Sequence, residues 1–163
     1  MSNTSNRFIQ TAAVISALVI TAALAMTLPD ARAEKRTATV FTGIVEGTAL
    51  AGYDAVAYFS EGKPVAGSPD FTLHHAGATW RFASAANRDS FAASPDKFAP
   101  QYGGHCAWAV GQGYTAKGDP KAWRIVDGKL YLNYDQKVQR TWEADIPGNI
   151  GKADRNWPKI STN

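Results

Sequence analysis

The residues best equipped for chemistry in this chain gather around one position. Cys106 is the only cysteine. It follows His105, one of three histidines, and the pair Gly103-Gly104, which frees the backbone for unusual dihedrals. A thiolate beside an imidazole suits copper or zinc. With a carboxylate to orient the base, the same groups make a thiol nucleophile. A free cysteine is also a good small buried packing residue. Metal binding, thiol catalysis and plain packing are therefore all open at Cys106.

A site would need more groups, and the sequence offers two. In Phe71-Thr72-Leu73-His74-His75, strand alternation puts His75 on the face of Phe71 and Leu73, and His74 on the opposite face. Asp54 lies in the apolar run Tyr53–Phe59, where a carboxylate is costly unless it is paired or hydrogen-bonded. It either caps the helical turn that follows or serves as an acid in or beside a site. The candidate metal ligands are thus Cys106, His105, His75 and Asp54. Local geometry decides whether the first two cooperate: in a strand, His105 and Cys106 point apart and cannot share one ion. A helix starting at Cys106 would instead favour the thiolate through its positive end.

The elements that must position these groups are short. Phe41–Val45 is expected as a strand and Gly47–Gly52 as a turn. Phe71–His75 and Thr79–Phe82 flank a Gly-containing loop and form a hairpin. Ala122–Val126 and Lys129–Tyr134 flank Asp127-Gly128, the favoured two-residue hairpin turn. Ser84 is placed to cap a helix ending before Pro95, and Asp135 to cap a final helix. Cys106–Val110 is expected to be helical, stopped near Gly111 or Gly113. Val138, Trp142, Ile146, Ile150, Ala153 and Trp157 recur every three or four residues as one apolar face, which Pro147-Gly148 must kink or split. No repeat is visible in the letters. The pattern is an α+β fold, a small single domain of antiparallel hairpins packed against short helices.

Before that domain, Arg7 precedes an uncharged apolar run to Leu28, and Ala31-Arg32-Ala33 follows. This is the pattern of a secretory signal, residues 1–33, or of an uncleaved membrane anchor. Either implies a periplasmic or otherwise exported protein, with membrane contact only through that segment. Residues 34–47 read as a tether, 48–158 as the domain and 159–163 as a tail. The chain carries a net charge of +3, with acids and bases interleaved, so no basic stripe supports nucleic-acid binding. One cysteine excludes an intramolecular disulfide; two Cys106 thiols across a homodimer could complete a site. No Gly-rich nucleotide fingerprint and no Cys-x-x-Cys-His haem motif is present.

The segments Gly52-Tyr53-Asp54-Ala55-Val56-Ala57-Tyr58-Phe59, Trp80-Arg81-Phe82-Ala83-Ser84, Gln101-Tyr102-Gly103-Gly104-His105-Cys106-Ala107 and Ile125–Tyr134 together resemble the YHS-domain proteins of exported bacterial type. The resemblance spans about Thr48 to Pro158. It implies a small α+β fold often associated with metal ions, copper and other heavy metals in particular, without a settled activity. Metal-binding relatives usually carry a cysteine where this chain has Ala83, and another in the helix that follows; neither is present here. A four-thiolate zinc site is therefore excluded, and any metal site would be built from Cys106, a histidine and Asp54 or Tyr53.

Overall fold

The computed structural model describes residues 40–161, so the expected signal segment and the tether up to residue 39 lie outside the described residues. The chain forms α1 (Ala57–Ser60), β1 (Ser68–His75), β2 (Ala78–Phe82), α2 (Ala85–Ala93), α3 (Pro95–Phe98), α4 (Ala107–Gly111), β3 (Asp119–Val126), β4 (Lys129–Asn133), α5 (Gln136–Glu143) and α6 (Ile146–Ile160). Strands β1 and β2 make one antiparallel hairpin, and β3 and β4 another, so the fold is α+β as expected. Both hairpins close on two residues with positive φ, Ala76-Gly77 and Asp127-Gly128, the geometry that matches strand twist.

Local chemistry explains the helix ends. The Ser84 hydroxyl accepts from the Asn87 amide at 3.1 Å, and the Asp135 carboxylate accepts from the Val138 amide at 2.8 Å. Pro147 splits the apolar C-terminal stripe rather than kinking it. It sits in the first turn of α6, whose N-cap Asp145 accepts from Gly148 N at 3.0 Å. The α6 helix continues to Ile160, so the segment read as a tail begins inside it.

The segment Phe41–Val45 departs from expectation. Among the described residues it forms no strand, and its only ladder contact is an isolated bridge from Val45 to Thr48. Its backbone is bound elsewhere, since Phe41 N donates to Gly103 O at 2.8 Å. Val40 packs on the core, so this part of the tether belongs to the folded body.

The structure also contains a repeat that the letters hide. A 3-10 turn at Ala49–Gly52 has positive φ at Leu50, Ala51 and Gly52, and a second at Gln101–Gly104 has positive φ at Tyr102, Gly103 and Gly104. Each turn leads to an isolated bridge, Tyr53 with Ala66 and His105 with Lys117. Each hairpin then pairs in the same bulged register, Thr72 with Arg81 and Trp123 with Leu132, and each is followed by a capped helix. The two halves are one architecture used twice.

Two cores result. The first gathers Leu50, Val56, Tyr58, Trp80, Phe82, Phe91 and Phe98, and the second Tyr102, Val110, Tyr131, Trp142 and Ala153. Strand β4 is buried on both faces. Its Leu130 and Leu132 complete the first core, while Tyr131 between them faces the second.

Candidate functional site

Cys106 is almost wholly buried and serves as the N-cap of α4 (φ −59°, ψ 115°). His105 is extended, and the two residues bridge different partners, His105 to Lys117 and Cys106 to Leu132. Their side chains meet different neighbours, the imidazole two aromatic rings and the thiol Asn133, so the two diverge. The His105 ring lies against Phe41 and Trp157, with centroids 5.2 and 5.8 Å away. Its buried Nδ1 has no hydrogen-bond partner among the described residues. Burial lowers its pKa, opposed by a hydrogen bond with the Ala116 backbone, so the neutral ring is favoured.

Backbone amides of Ala109, Tyr134 and Trp108 near the thiol favour the thiolate, although Trp108 N donates to the Asn133 side-chain oxygen at 3.3 Å. Burial outweighs them, and the pKa is raised. The expectation that the helix end would leave an activated thiolate therefore fails: α4 has only five residues, and the sulfur is sealed from water. The S–H points to the side-chain oxygen of Asn133, at 3.9 Å, a long and weak hydrogen bond.

Asp54 is fully buried. Its Oδ1 accepts from Val56 N at 2.8 Å and Ala57 N at 3.3 Å, and its Oδ2 from Ala83 N at 2.8 Å and Asn87 Nδ2 at 2.6 Å. The three backbone donors have counterparts near Cys106, in Trp108 and Ala109 at the start of a short helix and Tyr134 just past the second strand of the hairpin. Asp54 and Cys106 thus occupy the same place in the two halves. One difference is telling. The side-chain amides come from different places: Asn87 of α2 donates to the carboxylate, whereas Asn133 at the end of β4 presents its oxygen to the thiol.

His75 lies on the inner side of β1, as its parity requires, with its ring edge-on to Phe91 at 5.7 Å and its carbonyl accepting from Trp80 Nε1 at 3.0 Å. It belongs to the first half, as does Asp54. The structure does not bring the four expected ligands together: among the described residues, no group of three or more His, Cys, Asp or Glu could hold a metal ion. The reason lies in the duplication, which assigns Asp54 and Cys106 to separate pockets.

Asn133 and Asn87 are not among the candidate residues that the sequence marks. Asn133 closes a strand of buried residues, Leu130, Tyr131 and Leu132, and an amide ending such a run is the signal that was available. Asn87 carried no comparable mark. Compared with known proteins, the chain gives no match to any family model, curated protein or solved structure.

Proposed function

We propose that this chain is an exported, YHS-like module that works by binding rather than by catalysis, and that Cys106 is a structural thiol within it. The observation that carries the reading is the equivalence of Cys106 and Asp54: the sulfur fills the place where the other half keeps a capping carboxyl group. A thiol nucleophile needs a lowered pKa and a base within hydrogen-bond reach. Here burial raises the thiol pKa, and the neighbouring histidine is turned away. Export rests on the N-terminal sequence pattern, and the family reading on the four motif segments.

The test compares the purified chain with Cys106→Ser for Cu(I) and Zn(II) content and for thiol labelling. We expect neither protein to retain stoichiometric metal, and native Cys106 to be labelled only as fast as the fold opens. Metal held at one equivalent and lost in Cys106→Ser would overturn the reading and make Cys106 a ligand. Rapid labelling of the native thiol would revive the thiol-enzyme alternative.

A further inference from the structure

The duplication allows one face of the scaffold to be compared with itself. In the second half, Lys121 and Trp123 from β3 and Gln136, Gln139, Arg140 and Glu143 from α5 line an open depression of about 350 Å³. By register, the first half places Asp70, Thr72, Ala85, Arg88, Asp89 and Ala92 on the corresponding face. There Arg88 is paired with Asp89 at 2.8 Å, and the aromatic wall is missing. The same backbone surface thus carries an aromatic ring and two cations without an ion pair in one half, and an internal ion pair with small residues in the other.

The furnishings are held in place. Trp123 meets the Tyr58 ring edge-on at 5.1 Å, and the Tyr58 hydroxyl is anchored to Pro120 O at 2.8 Å. Gln139 Nε2 donates to Trp123 O at 2.9 Å and to Glu143 Oε1 at 3.0 Å, which fixes the amide and turns its oxygen free as an acceptor. Glu143 also faces Arg124 at 3.9 Å. Lys121 and Arg140 make no salt bridge among the described residues, so the lining presents two cations beside the single carboxylate of Glu143, which leans toward Arg124.

We infer that this depression binds an acidic saccharide. The cations match a carboxylate, with Arg140 able to grip it through two donors. The indole face matches the apolar C–H face of a sugar ring. The planar amides of Gln136 and Gln139 match hydroxyl groups, which both donate and accept. A purely aromatic anion would leave those amides unused. The volume lies at the lower end of ligand pockets, as a small sugar requires.

The inference rests on the chain being a binding module, whose own test is the metal and thiol comparison. A failed titration would therefore remove this ligand and leave that reading standing. The experiment titrates the purified chain with sodium glucuronate at constant ionic strength, following the Trp123 indole signal by NMR, with glucose and benzoate in parallel. Saturable binding of glucuronate, weakened by about tenfold or more in Lys121→Gln/Arg140→Gln and by a similar factor for glucose, is expected from the loss of charge-assisted hydrogen bonds. Both substituted side chains are exposed, so the double variant should keep the parent's thermal midpoint. No saturable shift, or equal response to glucose, would overturn the proposal. Tighter binding of benzoate than of glucuronate would overturn the saccharide class.

Discussion

At Cys106, burial and hydrogen bonding pull the thiol in opposite directions, and burial wins. That balance has a pH signature. The folded pKa is raised, so above the ordinary thiol range the unfolded chain has released a proton that the folded chain still holds, and stability falls as pH rises. Tyrosines 58 and 102, whose pKa values are also raised by burial, add a similar loss at higher pH. The difference between the parent and Cys106→Ser in denaturant melts from pH 8 upward should therefore isolate the thiol, and should narrow as pH rises. His105 works the other way. Its lowered pKa means that the unfolded chain takes up a proton first as pH falls, so stability is lost below the ordinary histidine value and should be restored in part by His105→Phe. Melts at pH 5 and 7.5 would check it. Removing the other buried cap should be worse: Asp54→Ala strands four donors and should cost about 3 kcal/mol or more, against about 2 kcal/mol for Cys106→Ala.

At the scale of elements, hairpins and caps were legible because each has a local code. Asp127-Gly128 demands a tight turn, Ser84 and Asp135 cap through their own oxygens, and Pro147 suits the first turn of a helix, where its missing N–H costs nothing. What escaped was non-local. Asp54 was readable as a cap, but that Cys106 is its twin was not, because the two halves share geometry and few letters. The paired 3-10 turns make the point experimentally. Ala51 holds a left-handed conformation (φ 51°) that its counterpart Gly103 (φ 60°) adopts freely. Ala51→Gly should stabilise the fold by up to about 1 kcal/mol, and Gly103→Ala should destabilise it by a similar amount, since only glycine takes such dihedrals without steric penalty. Urea midpoints of the two variants moving in the same direction would contradict the equivalence of the turns.

Across the whole molecule, the sequence suggested one small α+β domain, and the structure is one domain made from two like halves. The apolar residues were identifiable from sequence; their division into two cores was not, because it depends on β4 being shared. Gly118 belongs to this level as well. A methyl group there would run into the Gly104 carbonyl and the Leu132 side chain, where the second hairpin closes on the second 3-10 turn. Gly118→Ala should therefore destabilise the molecule strongly, seen as a large fall in the thermal midpoint. Gly128→Ala, with open space around it, should show only the smaller cost of its positive φ.

The two-sided burial of β4 has a kinetic consequence. A strand whose alternate side chains belong to different cores cannot loosen from one without disturbing the other, so neither half has an opening of its own that frees it. The amides of Leu130, Tyr131 and Leu132 should be the last in the molecule to exchange with deuterium, at a rate set by complete unfolding. The loop from Tyr114 to Gly118 should exchange long before them.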